Sequence, residues 1–145
     1  TEMKKEIDDH IDQHPVLKKN RELLQSIAGI GPVMSRELVY LFAAKKFINA
    51  KQAAAFCGVI PRLNESGKLK GRTTLSKKGP ARIRAKLYMA TVSAGQHNAF
   101  IRQQKERLIK AGKTPMQAIG AGMRKLIQIC FGVIKNQTEY RLQVV

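Results

Sequence analysis

The segment from Pro61 to Lys86 contains the residues whose types and spacing are best suited to chemistry. It holds nine Lys or Arg side chains and one carboxylate, Glu65, which precedes the dipeptide Ser66-Gly67. A serine hydroxyl is a poor nucleophile unless its proton is taken or the transition-state charge is stabilised. Guanidinium groups bind phosphate oxygens in a bidentate way and stay charged. Ser66 therefore suits attack on a phosphodiester better than attack on an acyl group, although a Ser-Gly pair in a loop also forms ordinary turns.

The basic side chains of this segment form a dense positive run. Arg82 and Lys86 are four residues apart on a predicted helix, so they share a face, and no acid lies on that face to offset them. A polyanion would relieve the repulsion, whereas the alternative is a solvated, charged loop. We predict that the following residues bind nucleic acid: Arg62, Lys68, Lys70, Arg72, Lys77, Lys78, Arg82, Arg84 and Lys86.

A second candidate phosphate contact is the turn Gly29-Ile30-Gly31. A Gly-x-Gly turn lets the backbone approach a phosphate closely, and the amides at the start of the next helix favour an anion. The pattern is typical of a helix-hairpin-helix, which binds the sugar-phosphate backbone without reading bases. A tight turn between two packed helices is the alternative interpretation.

Histidine and cysteine give weaker signals. His10 and His14 have a spacing found in metal sites, but no third ligand is evident, so a solvated helix end is the preferred interpretation. Cys57 and Cys130 are far apart in the chain and are interpreted as small core residues. We therefore predict no metal site among these residues.

The charge of the whole chain indicates a polyanionic partner. The net charge is +17 over 145 residues; residues 1–22 hold six acids and five bases, whereas residues 23–145 hold four acids and 22 bases. Such a surface attracts nucleic acid and releases its counterions on binding. Trp is absent and no apolar run reaches the length of a membrane span, so we expect no membrane partner.

Helix signals occupy most of the chain. They predict a mainly α fold, a small helical domain with a helix-hairpin-helix and one irregular basic loop or short β-hairpin. Residues 59–76 form the exception, because they lack a helical period and alternate partly. Helix starts are predicted from prolines and N-cap residues at Pro15, Pro32, Asn49, Gly79-Pro80, Asn98 and Thr114-Pro115.

Several short motifs occur in a fixed order between about Leu23 and Lys135. They are Ser26-Ile-Ala-Gly-Ile-Gly-Pro-Val, Ala53-Ala-Ala-Phe-Cys-Gly-Val-Ile-Pro-Arg, Glu65-Ser-Gly and Leu75-Ser-Lys-Lys-Gly. In this order they resemble the C-terminal domain of insertion-sequence transposases related to the Piv DNA invertases. These transposases are guided by a bridge RNA. The chain departs from the family at Pro80, where Asn is usual.

The resemblance implies a catalytic role for Ser66, attack on a DNA phosphate to form a phosphoserine link during transposition. It implies DNA, a guide RNA and further copies of the full-length protein as partners, and a cytoplasmic, nucleoid-associated location in bacteria. It also implies a RuvC-like domain that binds Mg²⁺ in the full-length enzyme. We expect no cofactor in this part, because few acids follow Glu22.

On this view residues 1–22 are the end of a coiled-coil or linker helix, with a seam of Met3, Ile7 and Ile11, and residues 23–145 are the C-terminal transposase domain. The metal-binding half would then precede Thr1. We expect a fragment of a transposase or recombinase that is inactive alone. The alternative is a non-catalytic helix-hairpin-helix module that binds nucleic acid.

Overall fold

A computed structural model describes residues 2–64 and 72–141. The fold of these residues is mainly helical, as predicted, and none of their helices is long and apolar enough to cross a membrane. The elements in chain order are α1 (Glu2–Gln13), α2 (Pro15–Gln25), α3 (Pro32–Ala44), α4 (Ala50–Phe56), β1 (Pro61–Asn64), β2 (Arg72–Leu75), α5 (Ala81–His97), α6 (Ala99–Lys110) and α7 (Pro115–Asn136).

Most helices begin where the sequence supplies a suitable residue. Pro15, Pro32 and Pro115 lie in the first turns of α2, α3 and α7, where a missing N–H loses no helical hydrogen bond and the fixed φ suits the helix. The side chains of Asn49 and Asn98 accept hydrogen bonds from backbone amides in the first turns of α4 and α6. These starts are therefore set locally.

Helix α7 lies at the centre of the core. It packs against α2, α4, α5 and α6. Leu126, Ile127 and Cys130 of this helix have no exposed surface. Its buried positions recur at helical spacing from Met123 to Val133, as an amphipathic helix requires. The domain is thus built around one apolar helix that supports its neighbours.

Helix α1 joins the core at its C-terminal end. Ile11 is fully buried, whereas Met3 is 71% exposed. Arg36 of α3 donates to both carboxylate oxygens of Asp8 at 2.9 and 3.0 Å, and these hydrogen bonds hold the pKa of Asp8 below its usual value. The boundary predicted between residues 22 and 23 falls within α2, and the division at this point stays a prediction.

Strands β1 and β2 form an antiparallel hairpin. The sequence had predicted either an irregular loop or a short hairpin here, and the structure has the hairpin. The connecting residues, 65–71, lie outside the described part of the chain. The paired residues are Pro61 with Leu75, Arg62 with Thr74, Leu63 with Thr73 and Asn64 with Arg72.

Candidate nucleic-acid interface

Ser66, the candidate nucleophile, lies outside the described residues, and so do Lys68 and Lys70. The structure describes the strands that precede and follow it. Residues 65–71 connect these two strands in the sequence. The geometry of the candidate site is known at the base of the hairpin, which is the end of the ladder where Pro61 pairs with Leu75.

Two of the predicted basic residues belong to the strands themselves. Arg62 lies on β1 opposite Thr74, and Arg72 lies on β2 opposite Asn64. The two arginine positions are consequently two residue pairs apart along the ladder. The backbone thus places both of them in the same short hairpin, next to the connection that contains Ser66.

The turn between β2 and α5, residues 76–80, packs against the base of the hairpin. The amide of Lys77 donates to the carbonyl oxygen of Gly58 at 3.0 Å. Gly79 has a φ of +100°, and a Cβ atom there would lie 1.9 Å from the carbonyl oxygen of Phe56, so the position requires glycine. Lys77 and Lys78 are exposed on this turn. Close backbone packing therefore places two ammonium groups beside the base of the hairpin.

Packing against α7 positions strand β2. A Cβ atom at Gly120 of α7 would lie 3.3 Å from Cδ2 of Leu75, the last residue of β2. The amide of Ser76 donates to the carbonyl oxygen of Ile60 at 2.9 Å, which extends the pairing beyond the strands. Leu75 and Ser76 thus connect the hairpin to the core.

Arg84 brings a half-buried guanidinium to the same place. Its Nη1 atom is buried and has no hydrogen-bond partner among the described residues. A Cβ atom at Gly58 would lie 2.8 Å from this nitrogen, so the guanidinium lies directly beneath the turn at the hairpin base. A buried donor without a partner carries a cost, while the rest of the half-buried guanidinium keeps a positive charge near this turn.

Arg82 and Lys86 differ from the prediction. The expectation that no acid offsets their charge was wrong, because Glu37 of α3 lies between them. Arg82 Nη2 donates to Glu37 Oε1 at 2.6 Å, and Lys86 Nζ contacts the same oxygen. The side chain of Arg82 is still 73% exposed, whereas that of Lys86 is 29% exposed. An acid from a distant helix thus offsets part of the predicted cationic face.

The base of the hairpin and its cations lie inside the segment that decides the family. Residues 21–114 match the Transposase IS116/IS110/IS902 family. The chain belongs to this family. It is also similar to the pilin gene-inverting proteins of Moraxella lacunata and Moraxella bovis, with 33% identity to each over 130 residues. The match covers 87% of this chain and 40% of each relative, so the chain spans about two fifths of their length.

The Gly29-Ile30-Gly31 turn of this transposase-family chain has a packing role at two of its three residues. Ile30 is only 4% exposed and belongs to the core. Gly29 has a φ of +105°, and a Cβ atom there would lie 2.6 Å from Cα of Ala94 on α5. Only Gly31, the N-cap of α3, borders open space. The phosphate-binding role of the turn stays a prediction.

Pro80, where the chain departs from the family pattern, is the N-cap of α5. It makes no side-chain hydrogen bond to the first turn, whereas Asn is a strong N-cap residue. The first turn of α5 therefore keeps backbone amides that no capping side chain satisfies, close to Arg82 and Arg84.

The histidines, cysteines and acids of the described residues are not grouped as metal ligands. Among residues 2–64 and 72–141, no group of three or more His, Cys, Asp or Glu side chains could hold a metal ion. His10 Nδ1 lies 2.7 Å from the hydroxyl of Tyr40 instead. Burial raises the pKa of Cys57 to about 11 and also raises that of Cys130. Both thiols are thus buried core groups, as predicted, and neither is a nucleophile near neutral pH.

Two features of this surface were not predicted from the sequence. The first is the contact of Glu37 with α5, which joins residues 45 and 49 positions apart. The second is a pocket lined by aromatic residues and lysines between the α3–α4 connection and α7. The run Lys45-Lys46-Phe47 was a signal for the pocket, because basic residues interleaved with aromatic ones are typical of single-strand binding.

Proposed function

We propose that this chain is the DNA-binding and catalytic-serine part of a transposase or site-specific DNA recombinase, in which Ser66 attacks a DNA phosphodiester. The observation that carries the proposal is the set of cations at the base of the hairpin. Lys77 and Lys78 are exposed there, and Arg84 has a buried nitrogen without a partner among the described residues. Membership of the transposase family supports the same conclusion.

The cations suit a phosphate group approaching the hairpin. Lys77 and Lys78 would bind the strand by charge, and the amides of the first turn of α5 favour an anion as well. Arg84 would stabilise negative charge at the turn, since a partly buried guanidinium interacts strongly with phosphate oxygens. Arg62 and Arg72 on the strands are further candidates for this role. The DNA strand would then pass beside the segment that contains Ser66.

In the proposed step the Oγ atom of Ser66 forms a bond to phosphorus. The bond between phosphorus and one deoxyribose oxygen breaks, which leaves the phosphate esterified to the serine. The serine loses its proton, and the departing sugar oxygen gains one. A second sugar hydroxyl can later reverse the step and rejoin the strands. The negative charge shared by the phosphoryl oxygens in the transition state is what the cations would stabilise.

The wider assignments follow from the family. DNA is the proposed substrate, and a guide RNA and a homo-oligomer of the full-length protein are proposed partners. Magnesium for the full-length enzyme also stays a prediction. The described residues offer no cluster of carboxylates for it, so the proposal assigns no magnesium ligand to them.

The test is the full-length transposase with Ser66→Ala. We expect the variant to bind DNA but to form no covalent protein–DNA adduct, because the attacking oxygen is missing. Adducts are trapped with a radiolabelled DNA substrate and separated on denaturing gels. Ser76→Ala is the matched control, since Ser76 is half-buried at the hairpin base and uses its backbone amide in pairing. Adducts formed by Ser66→Ala at the wild-type rate would refute the proposal.

A non-catalytic binding module is the second candidate, because the described cations alone suffice for binding. It predicts that Ser66→Ala changes neither binding nor strand exchange by the full-length protein. The two candidates therefore differ in the adduct assay and agree in the binding assay.

A further inference from the structure

An open pocket lies between the α3–α4 connection and the C-terminal half of α7. Its volume is about 220 Å³, which is smaller than the roughly 300–1,000 Å³ of sites for drug-sized ligands. Phe42, Phe47 and Phe131 form its wall. Phe42 contacts Phe47 at 6.1 Å and Phe131 at 6.5 Å between ring centroids, both edge-to-face. A pocket of this size and lining suits one flat ring system.

The connection beside the pocket presents an exposed apolar side chain. Ile48 lines the pocket and is 76% exposed. Its amide donates to Oε1 of Gln52 at 2.8 Å, and Asn49 caps α4 by accepting from the amide of Gln52 at 2.9 Å. These hydrogen bonds connect the backbone at Ile48 and Asn49 to α4. Ile48 extends the apolar lining formed by the phenylalanines, and a contiguous apolar surface, unlike a single exposed side chain, is typical of a binding site.

The rim of the pocket is positively charged. Lys45, Lys46 and Lys135 line it, and no acid is among its lining residues in the described chain. All three lysines are exposed. An apolar partner without charge would not need them, whereas a ring attached to a phosphate chain would use both the wall and the rim.

Ring contacts connect the pocket to the base of the hairpin. Phe47 contacts Phe56 at 5.8 Å between centroids, and Lys45 Nζ lies 5.4 Å from the centroid of Phe56. Phe56 ends α4, and its carbonyl oxygen packs against Gly79. The pocket thus lies one aromatic side chain away from the turn of Lys77 and Lys78.

We propose that this pocket binds an unpaired nucleobase of single-stranded DNA, with the lysines on its rim binding the flanking phosphates. The base inserts against Ile48 and the phenylalanine wall. The inference rests on the proposed function in that the chain must bind DNA. It adds a second contact that distinguishes an unpaired strand from a duplex, because only an unpaired base is free to enter a pocket.

The test compares Ile48→Asp with the wild-type chain. Binding to oligothymidylate and to a duplex of equal length is measured by fluorescence anisotropy. We expect roughly tenfold weaker binding of the single strand, because the apolar contact of the base with Ile48 is lost and a carboxylate takes its place beside the lysines of the rim. Binding of the duplex should weaken by less than about threefold, because the protein changes by only one unit of charge. Folding should persist because Ile48 buries little surface, and thermal unfolding checks this.

Met116→Asp is the matched control. Met116 is 64% exposed and lies at the opposite end of α7 from Phe131, so it changes charge and apolar exposure equally without touching the pocket. A second measurement needs no variant: single-stranded DNA with 5-iodouracil is cross-linked by light, and we expect peptides containing Phe47 or Phe131. Cross-links confined to the hairpin would contradict the inference.

The remaining outcomes separate this inference from the proposed function. Equal loss of single-strand and duplex affinity in Ile48→Asp, or no loss, overturns the pocket but leaves DNA binding intact. Failure of the wild-type chain to bind either DNA overturns both. Two further results also overturn the pocket as a site for single-stranded DNA. The first is preferential binding of oligouridylate RNA over oligothymidylate by the wild-type chain. The second is a loss of binding in Ile48→Asp that affects anionic lipid vesicles but not single-stranded DNA.

Discussion

Gly79 is the residue on which the position of the hairpin base depends most directly. We predict that Gly79→Ala lowers the free energy of unfolding by more than about 1 kcal/mol, because alanine disfavours a positive φ. The added methyl group would also lie 1.9 Å from the carbonyl oxygen of Phe56. Urea denaturation followed by circular dichroism measures the change.

Gly95→Ala is the control for this substitution. Gly95 lies in α5, and a Cβ atom there has open space around it. Alanine is the better helix former, so this variant should gain up to about 1 kcal/mol. If both alanine variants were as stable as the wild type, the packing of Gly79 against Phe56 would not constrain the hairpin base.

At the scale of elements, Glu37 determines how much of the α5 cationic face is available. We predict that Glu37→Gln strengthens DNA binding several-fold, because it releases Arg82 and Lys86 and removes a carboxylate that repels phosphate. The free energy of unfolding should fall by about 1 kcal/mol or more, because the side chains of Glu37 and Lys86 are only 18% and 29% exposed and solvent screens such a pair less than an exposed one. Fluorescence anisotropy with duplex DNA measures the affinity.

Glu106→Gln makes the same change of charge elsewhere. Glu106 is exposed on α6. Long-range attraction alone would make the two variants bind DNA equally well. A larger gain for Glu37→Gln is expected if α5 contacts the DNA, and equal gains would place the contact away from Arg82 and Lys86.

The elements differ in how far the sequence could predict them. Helix starts at Pro32, Asn49 and Asn98 were predicted because caps depend on neighbours within three residues. The strands could not be separated from a loop, because each has four residues and too few alternating positions. Contacts between distant elements, such as Glu37 with Arg82, carry no local signal at all. The acid that offsets two of the predicted basic residues was therefore missed, and the binding of nucleic acid by the basic residues stays a prediction.

At the scale of the whole molecule, the net charge of +17 does not by itself locate a binding surface. Lysines and arginines occur on several helices, and long-range attraction depends on all of them. Contacts with individual phosphates are distinguished by their salt dependence, because each one releases counterions. The salt dependence of DNA binding can therefore distinguish contacts at the hairpin base from attraction by the rest of the positive surface.

The last prediction concerns the double substitution Lys77→Gln and Lys78→Gln. If both side chains contact phosphates, the slope of log K against log salt concentration should become shallower by about 1.8, which is about 0.9 for each contact with duplex DNA. Titrations at several salt concentrations measure the slope. The control is Lys18→Gln with Lys19→Gln, an adjacent exposed pair on α2 with the same change of charge. This pair should weaken binding slightly and leave the slope nearly unchanged, because attraction at a distance releases few counterions. Identical slopes for the two double variants would mean that the surface binds DNA by its overall charge, and that the turn beside the hairpin has no special part in it.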